Sequence, residues 1–185
     1  MALEHILLGL LREPGSGSDI KRAFDKAIGH FWAAELSQVY PMLNRMARDG
    51  LLEATRVPSQ KGPPRKVYSL TAAGRTRLQE WLGAQPAIGQ ERLEWLAQVW
   101  FLNAVPERAL PFMVSLRAEF ARELAALEAI DAHWRSSDPR YPDKLPDTDL
   151  FPQFTLALGL KKLRVKLEWA DECIALLEAR AESQR

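Results

Sequence analysis

Apolar residues recur at helical spacing along most of the chain, and the one stretch that breaks this rule falls between two helices. Leu3, Ile6, Leu7, Leu10 and Leu11 form a stripe with a period near 3.6 and predict an opening helix. Glu13-Pro14-Gly15-Ser16-Gly17 ends it. Ser16 with Asp19 three residues on has the form of a capping box, so a second helix is predicted from about Gly17. It runs through Ile20, Phe24 and Ile28, with Gly29 as its candidate stop, and Phe31 to Ala34 form an apolar connector. Ser37 is the candidate N-cap of a third helix, with Val39, Leu43 and Met46 or Ala47 on its inner face and Gly50 just past its end. Pro41 is placed in its first turn, where a missing N–H has no helical partner to lose.

From Leu51 the period changes. Leu51–Val57 and Lys66–Leu70 alternate as strands do, and between them lies a tip of Gly, Pro, Lys and Arg. Thr71 caps a fourth helix, with Leu78, Trp81 and Leu82 as its predicted buried face. Ala84–Gly89 reads as a linker, and everything after it is helical. A helix over Glu91–Ala104 ends before Pro106, and a long one follows with Met113, Leu116, Phe120, Leu124, Leu127, Ile130 and Trp134 three or four residues apart. Ser136–Pro152, polar and with four prolines, is predicted to be loop. The last helix repeats Leu156, Leu160, Leu163, Leu167, Ala170, Ile174 and Leu177 in alternating steps of four and three, a heptad seam that needs a partner helix. An intramolecular pair and a second copy of the chain are both open; the length of the helix favours the second copy.

Helix, strand, basic tip, strand, helix is the order of a winged helix-turn-helix. The predicted fold is mainly α: an N-terminal winged helix-turn-helix over residues 1–84, then an all-helical domain over residues 90–185 that serves dimerisation and is the candidate effector domain.

Composition narrows function by exclusion. Of 185 residues, 47% are hydrophobic and 26% charged, as in ordinary globular domains. No apolar run is long enough to span a bilayer, and MALEHILLGLL lacks the basic start of a secretory signal. A single cysteine, Cys173, rules out an internal disulfide framework and fits the cytoplasm. His5, His30 and His133 have no metal-ligand spacing to one another. With no Gly-rich phosphate loop, nucleophile elbow or Cys/His pair, the expectation is a non-enzyme without metal or cofactor. The net charge is only +1, but the N-terminal half carries a small excess of cations and the rest a small excess of acids.

The wing order gives particular side chains a task. A duplex major groove admits one α-helix, read from residues near its start. Gln38, Asn44 and Arg45 are the candidate base readers, Gln and Asn through paired bonds to adenine and Arg to guanine, with Ser37, Tyr40 and Pro41 beside them. Lys61, Arg65 and Lys66 are candidate backbone or minor-groove contacts. Large aromatics at helical spacing are packing residues first; Trp95, Trp100 and Trp134 are also the candidate lining of a cavity for a small aromatic or hydrophobic effector. A winged helix that binds another protein, without specific DNA, is the alternative function.

These residues also resemble a known family. LEHILLGLL, SGSDIKRAF, LSQVYPMLNRMARDGLL and PPRKVYSLTAAGR are similar to the PadR family of bacterial transcriptional regulators, over roughly residues 3–82. The C-terminal half, through the Phe101 region and Leu167-Glu168-Trp169, resembles the virulence-activator helical type of the longer PadR subgroup. The resemblance implies a homodimeric DNA-binding repressor, less often an activator, on a pseudo-palindromic operator. The matching positions imply that Ser37, Gln38, Tyr40, Pro41, Asn44 and Arg45 face the groove, and that Lys61, Arg65 and Lys66 serve as the wing contacts. It also implies a dimer interface on the C-terminal helices, for which Leu156, Leu160, Leu163, Leu167, Ile174 and Leu177 are the candidates. Ser18 departs from the pattern, since that position is often aromatic in the family.

Overall fold

The computed structural model describes residues 2–24, 28–29, 31–32, 36–59, 62–89 and 91–183. The chain divides into two compact units, residues 1–88 and 89–185. The first contains α1 (Ala2–Leu10), β1 (Gly15–Ser16), α2 (Gly17–Ala23), α3 (Leu36–Arg48), β2 (Leu52–Ser59), β3 (Gly62–Leu70) and α4 (Ala72–Gly83). The second contains α5 (Glu94–Trp100), two short 3-10 turns, α6 (Ala109–Ser137) and α7 (Asp147–Ser183). The fold is mainly α, a winged helix-turn-helix followed by a helical region.

In the first unit α3 is the central helix because its inner face is wholly apolar. Val39, Leu43 and Met46 are completely buried against Leu7, Leu8 and Leu11 of the α1 segment, Ile20 and Phe24 of the α2 segment, and Leu78 of α4. Burying each such side chain contributes on the order of 2 kcal/mol. The helix ends at Gly50, whose φ of +74° is a left-handed conformation that suits a residue without Cβ. Capping follows the sequence: Ser16 and Asp19 form a reciprocal capping box on α2, and the Thr71 hydroxyl accepts from the Gly74 N–H on α4.

The antiparallel sheet has the order β1-β3-β2. Leu52 faces Leu70, Ala54 faces Tyr68 and Arg56 faces Lys66. β1, only two residues long, pairs with Val67 and Tyr68 and left no strand signature in the sequence. It covers so little of β3 that Pro63 and Pro64 lie beyond its reach, beside the irregularity in the β2 pairing between Val57 and Ser59, where the ladder is already interrupted.

Several predicted boundaries move. The hairpin is longer than expected: pairing runs to Ser59 and Gly62, so Arg65 joins Lys66 on a strand and is not in a loose tip. α3 begins by Leu36, so Ser37 is inside the helix and not its cap, and Pro41 lies past the first turn. Proline is tolerated there because it is on the exposed face, where the freed carbonyl meets water. On α4 only Leu78 of the predicted face is buried; Leu82 is exposed and Trp81 stacks on His5, with ring centroids 5.0 Å apart.

In the second unit α6 and α7 pack along their lengths. Met113, Leu116, Phe120 and Leu127 of α6 meet Leu156, Leu160, Leu163 and Ala170 of α7, with Leu124, Ile130, Leu167, Ile174 and Leu177 half-buried against them. Within the single chain the heptad seam packs against α6, which is the intramolecular alternative that its spacing left open. The apolar stripe of α6 has the matching period, and intrachain pairing costs less entropy than association. Arg117–Asp171 and Arg164–Glu128 pairs flank this seam. The predicted loop is shorter than expected: α6 continues through Ser137, and α7 starts at Asp147 with Pro152 inside it. α5 is shorter too: its predicted C-terminal part forms a 3-10 turn at Leu102–Ala104, and a second 3-10 turn follows at Pro106–Arg108. Among the described residues no helix is long and apolar enough to cross a membrane.

Candidate nucleic-acid interface

The first unit brings the start of α2, the exposed face of α3 and the wing strand β3 around one cleft of about 310 Å³, lined by Ser16, Gly17, Ser18, Tyr40, Asn44, Arg65, Lys66 and Tyr68. Each lining group arrives by a local rule. Alternation on β3 puts Leu70, Tyr68 and Lys66 on one face. Tyr68 is buried in the core, and Lys66 continues the same face past the core's edge. There its ammonium donates to the Asn44 carboxamide oxygen at 2.8 Å and lies 5.0 Å from the Tyr68 ring centroid. The Tyr68 hydroxyl donates to the same oxygen at 3.2 Å. Helix α3 and the wing are thus joined through one side chain.

At the other edge of the cleft the Tyr40 ring lies over the start of α2. A Cβ built on Gly17 would come within 2.2 Å of it, so glycine is what allows the ring to lie there. The Ser16 hydroxyl donates to the Asp19 carboxylate at 2.6 Å and lies 2.8 Å from the Ser18 hydroxyl. The Ser16 side-chain and backbone bonds hold the Asp19 carboxyl below the usual carboxylate range against a small opposing effect of burial, and Arg22 and Arg65 add to the lowering. Arg65 thus supplies positive potential to this corner of the cleft.

Of the residues named from sequence, Ser37, Gln38, Tyr40, Pro41 and Asn44 are exposed on α3, and Arg65 and Lys66 are exposed on β3. Tyr40, Asn44, Arg65 and Lys66 share the cleft. Lys61 lies outside the described residues. Arg45 is elsewhere: its guanidinium turns back to donate to the Glu4 carboxylate of α1 at 2.7 Å, and Arg77 of α4 approaches the same carboxylate at 3.6 Å. Glu4 is nearly buried, so the Arg45 guanidinium is held at an interior carboxylate, outside the cleft. Sequence reasoning missed Tyr68, Gly17 and Ser16 as site residues. The period-2 register of Lys66, Tyr68 and Leu70 was the available signal for the first.

The three tryptophans do not converge. Trp95 packs edge-on to Phe120 at 5.3 Å and against Trp169 at 5.8 Å, inside the second unit's core. Trp134 stacks on Tyr141 at 6.5 Å, some 14 residues and roughly 21 Å along α6 from Phe120. Trp100 is exposed. The three side chains thus stand at separate places in the second unit.

The transcriptional regulator PadR-like family matches residues 6–80, and the virulence activator alpha C-terminal family matches residues 91–178. The "Probable transcriptional regulator Rv1176c" of Mycobacterium tuberculosis is 39% identical over 96% of this chain and 98% of its own length. The chain belongs to the PadR-like family of transcriptional regulators. Among solved structures, this PadR-like regulator is similar to the virulence activator AphA of Vibrio cholerae, with a TM-score of 0.73 and 31% identity over 96% of this chain and 99% of that one. It also shares its fold with Bacillus subtilis PadR, solved in complex with operator DNA, with a TM-score of 0.80 and 23% identity over 96% of this chain and 99% of that one. The cleft of this regulator lies between the two elements that a winged helix offers to a duplex, its third helix and its wing.

Proposed function

We propose that this regulator works in the cytoplasm as a homodimeric repressor that binds a pseudo-palindromic operator. Each protomer lays α3 in a major groove and sets Arg65 and Lys66 of the wing on the adjoining backbone. The observation that carries this reading is the cleft itself, where two strand-mounted cations stand beside the polar, exposed face of one helix. A cation fixed on a strand loses less freedom on meeting a phosphate than one on a loose loop. Ser37, Gln38, Tyr40, Pro41 and Asn44 supply the groove-facing surface, and Arg45 serves the fold. Dimerisation uses a surface other than the heptad seam. α7 carries a second apolar stripe, Phe151, Phe154, Leu158 and Val165, with each residue about 60% exposed in the single chain. A pseudo-palindromic operator read by two such helices has its half-sites about one DNA turn, ~34 Å, apart.

The test is fluorescence anisotropy with duplex from the regulator's own upstream region, for wild type and Arg65→Ala/Lys66→Ala. Wild type is expected to bind that duplex at least 100-fold tighter than random DNA, with affinity falling steeply as salt rises. The double variant is expected to lose affinity for operator and random duplex and to show a shallower salt slope by about two charges. Equal binding of wild type to operator and random duplex would overturn the reading.

A further inference from the structure

Asn44 has lost half of its hydrogen-bonding repertoire before any DNA arrives. It is exposed on the cleft, yet its carboxamide oxygen already accepts from the Lys66 ammonium at 2.8 Å and the Tyr68 hydroxyl at 3.2 Å. An ammonium carries donors only, so the amide atom facing it must be oxygen. A carbonyl oxygen has two lone pairs, and both are engaged. Turning the amide round would aim its N–H₂ at the ammonium and deprive the hydroxyl of Tyr68, a residue only 2% exposed, of its acceptor. A buried donor left unmade is costly, so the amide is held with oxygen inward and nitrogen outward. Lys66 is itself restrained by the Tyr68 ring.

We propose that Asn44 is a donor-only contact to DNA, offering its Nδ2 hydrogens to an acceptor, either guanine N7/O6 or a phosphate oxygen, and that it does not read adenine by paired bonds. The inference rests on the DNA-binding reading of the cleft. Paired recognition of adenine needs the amide oxygen to accept from the base's N6–H₂ while the nitrogen donates to N7. The first of these bonds has no lone pair left to receive it. Guanine presents two acceptors at the same edge, N7 and O6, and the backbone presents phosphate oxygens; a paired N–H₂ group suits either. Asn44 thus contributes no preference for adenine over guanine through N6, and among the polar residues of α3 that role is left to Gln38.

The experiment uses the full chain and a duplex selected by it from a random pool. Wild type and Asn44→Ala are compared on that duplex carrying one analogue at a time: purine for adenine, which deletes N6; 7-deazaguanine for guanine, which deletes N7; and a methylphosphonate at single phosphates. Asn44→Ala is expected to weaken binding roughly tenfold. That loss is expected to vanish on one particular 7-deazaguanine duplex if the contact is to the base, or on one methylphosphonate duplex if it is to the backbone; either result supports the proposal. A loss that vanishes only when an adenine N6 is deleted would overturn it, as would unchanged binding by Asn44→Ala. A wild-type chain that selects no duplex over random sequence removes the DNA-binding reading and this contact with it, whereas selective binding with coupling to N6 removes the donor-only assignment alone.

Discussion

Asn44 and Arg45 are neighbours in sequence with opposite tasks. One residue along a helix turns a side chain by about 100°, which is enough to send Asn44 to the cleft and Arg45 to α1. Arg45 closes a three-helix contact in which the Glu4 carboxylate, nearly buried, receives Arg45 and is approached by Arg77. Removing the closer cation leaves an interior carboxylate with one more distant and half-exposed partner. Arg45→Met keeps most of the stem's packing and is expected to lower stability by about 1–2 kcal/mol in urea unfolding. Base preferences in a selection experiment are expected to stay unchanged. A shifted preference at one base pair with wild-type stability would instead return Arg45 to the groove.

Among the described helices of the first unit α2 has the fewest residues, and its first turn carries a reciprocal capping box. The Asp19 carboxyl sits below its ordinary range because Ser16 donates to it. A carboxyl lowered in the folded state adds stability above its unfolded pKa, near 4, and that contribution disappears as pH falls through the folded value. Asp19 is well exposed, so the gain is screened to on the order of 0.5 kcal/mol. The stability gap between wild type and Asp19→Asn is expected to be constant from pH 7 to about 5 and to close below pH 4 in denaturant titrations. A gap that does not shrink as pH falls below 4 would mean that the charge of Asp19 is not what holds the cap. This cap was legible in the sequence because Ser16 and Asp19 are three residues apart and need no tertiary context. So were the inner face of α3, the Gly50 stop and the Thr71 cap. The reach of the wing strands was not, because prolines at 63 and 64 read as turn unless the irregular pairing of β2 beside them is known. Asn44 could be named as a polar helix residue, but the commitment of its oxygen depends on Lys66 and Tyr68, more than 20 positions away.

For the molecule as a whole the sequence pattern raised one question that only packing answers, namely which apolar stripe of α7 is left for a partner. Leu160 and Leu158 are two residues apart and lie on different sides of the helix. Leu160 is 7% exposed and packed into the α6–α7 seam; Leu158 is 60% exposed. The two positions therefore separate folding from assembly. Leu160→Ala removes buried methyl groups and is expected to cost about 3 kcal/mol in unfolding free energy, with the oligomeric state of the surviving folded protein unchanged. Leu158→Glu adds a charge to a surface that water already reaches in the single chain, so the protomer is expected to keep its helical circular dichroism. In a dimer closed over Phe151, Phe154, Leu158 and Val165, the same charge meets its symmetry mate across an apolar seam, where two unpaired carboxylates are strongly disfavoured. Sedimentation equilibrium is expected to show a monomer for Leu158→Glu and a dimer for wild type. With the two half-sites no longer bound by one particle, operator affinity is expected to fall at least 100-fold, while the weak binding of one half-site remains. A Leu158→Glu protein that stays dimeric would exclude this stripe and move the search to other exposed apolar surfaces of the second unit, beginning with Trp100 and Phe101.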